Sequence, residues 1–310
     1  MGIGMLRKAA LLGAALVAIV LAGALAGCAD GGGAYSAGCP GMPYTAVALR
    51  RSSEFLLVPA ELQNTPVQMV LDTGSEVSTI SPGIAQAFGL AHDDRHGRML
   101  AGVGGAVHTS SVVAPVFRFA DWQPQARRFS LSVAELLGGQ NPPVAGLLGA
   151  DALGGRDIDL DAPVGRLGLA SPAYCPDFLP WPGARGTGIA VSQGGLVVAI
   201  VVLNGHATRA LVDTGARHTL VTRRLANAIG ISDAALAADQ ASMALGIAHE
   251  EVPVRRHVID EIRLAGAVWR DVPVTVADIR LPGMEVLLGA DLLARQRVWI
   301  SPYRQMIWLR

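Results

Sequence analysis

The chain has no formal net charge, few aromatic residues and few cysteines. Acidic and basic residues balance to a formal net charge of +0, aromatic residues make up 5% of the 310, and almost every basic residue is arginine. This composition excludes the basic surface typical of nucleic-acid binding and a basic patch for a membrane surface. Hydrophobic residues make up 51%, which favours a folded enzyme with a substantial core.

Motifs for several common chemistries are also missing. The seven histidines show no metal-ligand spacing, and no Gly-x-Ser-x-Gly elbow occurs. The glycine-rich stretch at 100–107 is not followed by a lysine or a helix pattern, which argues against a phosphate-binding loop. We therefore expect no metal, no organic cofactor and no nucleic-acid partner.

One short motif is present twice, as Leu-Asp-Thr-Gly at 71–74 and as Val-Asp-Thr-Gly at 212–215. The surrounding sequence repeats with it. A shift of 141 positions lays Gly89 on Gly230, and a shift of 140 lays the Leu-Leu-Gly-Ala-Asp of 147–151 on that of 287–291. The period is far longer than that of solenoid repeats, so it indicates a tandem domain duplication with a pseudo-twofold axis.

Asp72 and Asp213 are the candidate catalytic residues, because one from each copy would meet on that axis. Two carboxyl groups held close together cannot both ionise, so they share one proton. One then activates a water as general base while the other donates a proton as general acid. The pair predicts a site that hydrolyses peptide bonds.

The repeated motif, followed in each copy by two aliphatic residues and a glycine at 147–149 and 287–289, resembles that of the retropepsin-like aspartic proteases, particularly the bacterial members. Retroviral members build their site from two identical chains, whereas this sequence carries both halves. The resemblance implies an acid-protease fold, all-β with a few short helices, in which two pseudo-symmetric lobes form a monomeric endopeptidase without a covalent intermediate.

The resemblance also implies supporting roles around the two acids. The hydroxyls of Thr73 and Thr214 are expected to bond across the axis to the opposite loop. Gly74 and Gly215 are expected to permit close backbone approach and to donate N–H groups to the carboxylates.

The copies differ one residue later, where Ser75 stands in the first and Ala216 in the second. A hydroxyl there is able to donate to the neighbouring carboxylate and to favour its charged form. We therefore expect Asp72 to be the ionised member of the pair and Asp213 the protonated one.

The next two positions depart from the retroviral pattern, which has acidic residues that hold the substrate backbone. Here Glu76 and Val77 stand in the first copy, and Arg217 and His218 in the second. Three arrangements remain open for Arg217: a pair with Glu76 across the axis, attraction of an acidic substrate residue, or exposure to solvent. The cleft is expected to be asymmetric.

Each copy has a candidate flap, a hairpin that closes over bound peptide. In the first copy it is the glycine-rich stretch at 100–107, and in the second it is the more charged stretch at 245–251. The second flap is expected to be reduced. The predicted substrate-binding residues of the flaps are Gly102, Val103, Gly104, Gly105, Gly246 and Ile247.

The first 27 residues read as a secretory signal peptide, with Arg7 before an apolar run at 9–24. The Leu-Ala-Gly-Cys of 25–28 resembles the bacterial lipoprotein box, in which Cys28 is lipidated after cleavage. A membrane-spanning anchor is the alternative. We expect a body exported to the bacterial cell envelope on a flexible tether at 28–44, with Ala29 favouring the outer membrane over the inner one.

Cys39 and Cys175 remain for one disulfide, which an oxidising compartment favours; two inert thiols are the alternative. The predicted domains are 45–170 and 189–310, joined by a proline-rich connector at 171–188. Asp151 and Asp291 are predicted to be helix N-caps and not catalytic.

Local patterns predict the secondary structure around each motif. Apolar runs at 55–58 and 196–202 predict strands, and the stretches 62–67 and 203–207 predict hairpin turns. A short helix is expected after each motif. Its predicted start and stop residues are Ser81, Pro82 and Gly89 in the first copy and Thr222 and Gly230 in the second.

Two other functions remain open. The cleft could hold a peptide or partner without cleaving it, although two buried acids then have no chemical purpose. Alternatively, each copy could dimerise with another chain and form two sites.

Overall fold

Short apolar runs separated by glycine, proline and asparagine form strands through most of the chain. A computed structural model describes residues 42–53, 55–122, 126–131, 139–171, 177–245 and 251–310. The described part is mostly strand with a few short helices, which confirms the predicted fold class. All of it belongs to one compact unit, Ala34–Arg310.

The first copy of the repeat forms one lobe. Its strands are β1 Tyr44–Ala48, β2 Arg50–Ser52, β3 Phe55–Leu62, β4 Thr65–Leu71, β5 Thr79–Ile80, β6 Ala91–Gly102, β7 Gly105–Ala114, β8 Phe117–Arg118, β9 Arg127–Leu131, β10 Val144–Leu148, β11 Asp157–Asp161 and β12 Arg166–Ala170. Its helices are α1 Pro82–Ala87 and α2 Ala150–Leu153, and a 3-10 turn spans Ala162–Val164.

The second copy forms the other lobe, in the same order. Its strands are β13 Gly186–Val191, β14 Val197–Leu203, β15 His206–Val212, β16 Leu220–Thr222, β17 Gln240–Leu245, β18 Glu251–Leu264, β19 Ala267–Ala277, β20 Val286–Leu288, β21 Arg297–Ser301 and β22 Met306–Leu309. Its helices are α3 Arg223–Ala228, α4 Asp233–Ala238 and α5 Ala290–Leu293.

The strand that leads to each motif is the second arm of a tight hairpin, as predicted. Strands β3 and β4 turn at Gln63 and Asn64, and β14 and β15 turn at Asn204 and Gly205. All four turn residues have positive φ, between 44° and 81°. Asparagine and glycine tolerate this region best, so these turns are encoded locally.

The short helix after each motif begins and ends as the sequence predicts. Ser81 accepts a hydrogen bond from the N–H of Ile84 at the start of α1, and Thr222 accepts one from Leu225 at the start of α3. Gly89 and Gly230 follow the helix ends with φ of +59° and +91°, a region that favours glycine.

The two lobes share a seam where β11 of the first lobe pairs antiparallel with β21 of the second. Strands from both lobes flank this pair in the order β1-β12-β11-β21-β22-β13. The seam carries buried ion pairs: Asp159 meets Arg297 at 2.7 Å, and Asp157 meets Arg304 at 2.9 Å. Because the acids come from one lobe and the arginines from the other, the seam is complementary within a single chain.

Aromatic residues of the connector cover one face of this seam. Phe178 and Trp181 pack with Trp299 and Trp308 in one buried cluster. A much larger apolar core extends through both lobes. The lobes are therefore held together by burial as well as by strand pairing.

Candidate active site

Each motif aspartate lies at the end of a buried strand. Strand β4 pairs in parallel with β10, and β15 pairs in the same way with β20. The N–H of Asp72 donates to the carbonyl of Leu148, and the N–H of Asp213 donates to that of Leu288, each at 3.0 Å. The aliphatic-glycine segment of each copy thus lies behind its aspartate, which explains why the two motifs occur together.

The two aspartate loops face each other across the lobes. A Cβ atom on Gly74 would lie 2.3 Å from the carboxyl carbon of Asp213, and one on Gly215 would lie 2.3 Å from that of Asp72. No side chain fits in that space, so both positions require glycine. The carboxyl groups meet within one chain, so the arrangement in which the copies do not face each other is wrong.

The threonines of the motif brace the two loops against each other. The Thr73 hydroxyl donates to the carbonyl of Val212 at 2.7 Å and accepts from the N–H of Thr214 at 3.1 Å. The Thr214 hydroxyl donates to Leu71 at 2.7 Å and accepts from Thr73 N–H at 3.0 Å. The predicted bonds across the axis are confirmed, and all four are buried.

The two carboxyl groups titrate as a pair. Burial first, and the charge of Asp213 second, raise the pKa of Asp72 to about 8. Burial also raises the pKa of Asp213, while N–H groups of Ala216 and Gly215 and a hydrogen bond from Asp72 act in the opposite direction. Burial therefore raises the pKa of both carboxyl groups, and the titration belongs to the pair.

The Ser75 hydroxyl does not make the predicted contact with the Asp72 carboxylate, which removes the reason for assigning the charge to Asp72. The hydroxyl donates instead to the carbonyl of Val77 at 2.8 Å, two residues along the same loop. In the second loop, Asp213 Oδ1 accepts from the N–H groups of Gly215 at 2.9 Å and Ala216 at 3.0 Å. Asp72 Oδ1 likewise accepts from the N–H of Gly74 at 2.9 Å, so backbone donors serve both carboxyl groups.

Asp151 and Asp291 are not the helix N-caps that the sequence predicted. Helices α2 and α5 begin one residue earlier, and glycines occupy the N-cap positions. The carboxylate of Asp151 accepts from both the N–H and the hydroxyl of Ser78, at 2.9 and 2.7 Å, and Asp291 binds Thr219 in the same way. Each acid therefore holds, by these hydrogen bonds, the segment that follows the catalytic loop of its own lobe.

Ser78 and Thr219 are the supporting residues that sequence reasoning missed. Their hydroxyls also accept the N–H groups of Gly149 and Gly289, at 3.0 and 3.1 Å, so each links its loop to the segment behind it. The signal was present, since the shift of 141 lays Ser78 on Thr219 and keeps a hydroxyl at both positions.

The first predicted flap is a hairpin, as expected. Strands β6 and β7 pair up to Gly102 and Gly105, and the turn lies at Val103 and Gly104. Val103 packs against an apolar surface of the other lobe, here called the second-lobe wall. The wall consists of Leu211, Leu220, Val254, Ala277 and Leu287. The flap tip therefore reaches across the cleft.

Of the three arrangements left open for Arg217, the ion pair with Glu76 is not formed among the described residues. Its guanidinium carbon lies 5.4 Å from the centroid of the Phe55 ring, within the range of a cation–π contact. Arg217 and Glu76 are both exposed, and neither has an ion-pair partner among the described residues. Phe55 is a further neighbour of the site that the motif did not indicate.

Several predicted residues lie outside the described part of the chain. They are Cys28, Cys39, Cys175, Gly246 and Ile247. The lipid site, the disulfide and the tip of the second flap therefore stay predictions. Strands β17 and β18 do pair from Leu245 to Glu251, so the second flap is also a hairpin.

Two further features are absent from the described residues. No group of three or more His, Cys, Asp or Glu side chains there is placed to hold a metal ion. None of the helices in that part of the chain is long and apolar enough to cross a membrane.

The fold resembles that of a solved structure. Basic 7S globulin from soybean matches with a TM-score of 0.51 at 13% sequence identity, over 86% of this chain and 95% of that one. A retropepsin-like aspartic protease from Rickettsia conorii matches at 20% identity over 41% of this chain and 90% of that one, with a TM-score of 0.34. The comparison with curated proteins gave no match.

Family models identify both lobes. The model described as aspartyl protease matches twice, over residues 58–152 and 199–292. Each match contains one aspartate loop and the aliphatic-glycine segment behind it. Because the two matches together span more than half of the sequence, the chain belongs to the aspartyl protease family, with one match in each lobe of the polypeptide.

Proposed function

We propose that the protein is an exported, membrane-anchored aspartic endopeptidase with one active site per chain. The proposal rests above all on one observation: two buried carboxyl groups, one from each lobe, face each other. Burying two acids is costly unless their shifted pKa values serve a reaction.

In this mechanism Asp213 is the base and Asp72 is the acid. Asp213 takes a proton from a water held between the carboxyl groups, and the oxygen attacks the carbonyl carbon of the peptide bond. Asp72 donates its proton to the carbonyl oxygen. The C–N bond then breaks as the nitrogen receives a proton from the pair, so no covalent enzyme intermediate forms.

The substrate is proposed to be an extended segment of an exported polypeptide. Such a segment is able to lie beneath the flap and to bind through main-chain hydrogen bonds, as an added strand does. The flap hairpin and the apolar second-lobe wall support this arrangement, because together they bound a cleft next to the carboxyl groups.

The test uses full-length protein in detergent micelles and an unbiased peptide library read by mass spectrometry across pH 3 to 8. The variants are Asp72→Asn and Asp213→Asn, with Asp233→Asn as the matched control, since Asp233 is exposed on α4. Loss of every cut in both site variants, with the control unchanged, supports one two-aspartate site. Binding of peptides without any cuts by the wild type would instead favour the peptide-binding alternative.

The location and the disulfide are part of the same proposal. Cys39 and Cys175 are proposed to form one disulfide, because an oxidising compartment favours joining the two cysteines that remain after Cys28. Intact-mass spectrometry with and without reductant tests it, because one disulfide changes the count of alkylated thiols by two.

Lipidation is tested separately. Cell fractions and the mass of the N-terminal peptide should show a lipid on Cys28 and retention in the membrane fraction. Cys28→Ser should release the body from that fraction. Retention of this variant would contradict a lipid anchor and would favour the membrane-spanning alternative.

A further inference from the structure

Two residues of opposite charge occupy equivalent positions on either side of the catalytic pair. Glu76 lies four residues after Asp72, and Arg217 lies four residues after Asp213. Both side chains are exposed, and neither forms an ion pair with another described residue. Duplication alone would give equal charges at the two positions, so the difference makes the cleft electrically asymmetric.

Arg217 extends from its own lobe to the other one. Its guanidinium stacks on Phe55, and Phe55 packs against an apolar surface here called the first-lobe wall. This wall consists of Leu57, Val70 and Val144, with Leu147 packed against it. Leu147 directly precedes Leu148, which accepts the backbone hydrogen bond of Asp72. The cation is therefore held beside the apolar surface that adjoins the first catalytic aspartate.

Glu76 likewise extends from the first lobe to the second. A Cβ atom on Gly194 would lie 2.2 Å from Glu76 Oε1, so the carboxylate rests directly on this glycine of the second lobe. Gly194 belongs to the turn before Leu196, and Leu196 packs against the second-lobe wall. One end of the cleft thus carries a carboxylate, and the other end carries a guanidinium.

We infer that Arg217 and Glu76 determine substrate specificity, by selecting an acidic side chain on one side of the scissile bond and a basic side chain on the other. This inference rests on the proposed function. The scissile bond lies on the pseudo-twofold axis, so an extended peptide meets Arg217 on one side and Glu76 on the other. Stacking on Phe55 holds the guanidinium in place while its N–H groups remain available to a carboxylate.

The polarity also fixes the direction of the bound peptide. In a symmetric cleft a peptide would bind in either direction, whereas here an acidic and a basic residue in the wrong order would meet like charges. Such contacts disfavour the wrong substrate as well as favouring the right one. The preferred substrate class is therefore an exported segment with opposite charges flanking the cut.

The experiment sequences the cut sites made by full-length protein in a peptide library. The variants are Arg217→Glu, Glu76→Arg and the double exchange, and Arg185→Glu is the matched control, because Arg185 is an exposed arginine of the connector. A peptide with an acidic residue at the selected position is then compared with its neutral amide analogue. Unfolding midpoints of all variants verify that each is folded.

The wild type and Arg185→Glu should prefer an acidic residue at one position and a basic residue on the opposite side of the cut. Arg217→Glu should lower kcat/KM for the acidic peptide by about tenfold while leaving the neutral analogue unchanged. The double exchange should reverse both preferences. Reversal is the decisive result, because a purely structural role for the two residues would not produce it.

Two results would overturn the inference, and only one of them would also overturn the proposed protease function. Cuts without charge preference, or preferences that are the same in Arg217→Glu as in Arg185→Glu, overturn it and leave the protease function intact. A complete absence of cuts by the folded wild type overturns both the specificity and the proposed function.

Discussion

The threonine brace gives the most direct test of how the two lobes hold the catalytic pair. Thr214→Val keeps the side-chain volume nearly constant, so no cavity contributes. It removes the hydroxyl that donates to Leu71 and accepts from Thr73. A buried C=O and a buried N–H are then left without partners, at about 1–3 kcal/mol each. The free energy of unfolding should fall by about 2–6 kcal/mol.

Activity should fall as well, because the brace fixes the distance between the two carboxyl groups. A displacement of about 1 Å in a catalytic group costs about 100-fold in rate. Urea unfolding followed by tryptophan fluorescence measures the first effect, since Trp299 and Trp308 are buried at the seam between the lobes. Peptide cleavage at saturating and limiting substrate measures the second.

Thr79→Val is the matched control for this prediction. Thr79 is as buried as Thr73, but its hydroxyl has no hydrogen-bond partner among the described residues. Its replacement should be neutral or slightly stabilising, because it removes a buried polar group that gains nothing in the fold. Equal effects of Thr214→Val and Thr79→Val on unfolding and on kcat would refute the bracing role.

Four further predictions concern the pair and the flap. The pKa of Asp72 is raised from 3.8 to about 8, so its contribution to the free energy of unfolding is complete below pH 3.8 and is lost as the pH rises towards 8. Urea unfolding should show this loss. In Asp72→Asn the free energy of unfolding should depend less on pH over the same range. Cleavage should likewise fall above about pH 8, where Asp72 loses its proton. Ser75→Ala should leave both limbs of the pH–rate profile in place, because its hydroxyl binds Val77. Val103→Asp should lower kcat/KM about tenfold or more, because it sets a charge against the second-lobe wall.

The outcomes that contradict these predictions are distinct. An unchanged pH dependence of stability in Asp72→Asn would mean that another group causes it. If Ser75→Ala shifts the acidic limb of the pH–rate profile, the Ser75 hydroxyl acts on the carboxylate and not only on Val77. For the flap, Val103→Ala is the control, and equal activity of Val103→Asp and Val103→Ala would contradict the contact with the second-lobe wall.

The sequence predicted the parts of the site that depend on local pattern and on the duplication. Repetition of the motif required two equivalent loops, and the acids, the threonines and the glycines took the expected places. Turn residues such as Asn64 and Gly205 and caps such as Ser81 act within a few residues, so their effects are readable from the sequence. The all-β fold class followed from the same short apolar runs.

Contacts between distant residues could not be predicted in this way. The hydroxyl of Ser75 has several acceptors within reach, and only the folded loop selects Val77 over the carboxylate. Asp151 precedes a helical turn in the sequence, yet its partner Ser78 is 73 residues away. The sequence therefore indicated most residues of the site, missed Ser78 and Thr219, and gave the wrong contacts for Ser75, Asp151 and Asp291.

By itself, then, the sequence determined that the chain is a duplication with one acidic motif per copy, because repeats and short-range turn and cap preferences act locally. Only the tertiary structure decided that burial raises the pKa of both carboxyl groups, which side chain braces each loop, and where Arg217 lies. Burial, backbone donors and opposing charges set these outcomes, and they arise only when the two lobes pack together and exclude water.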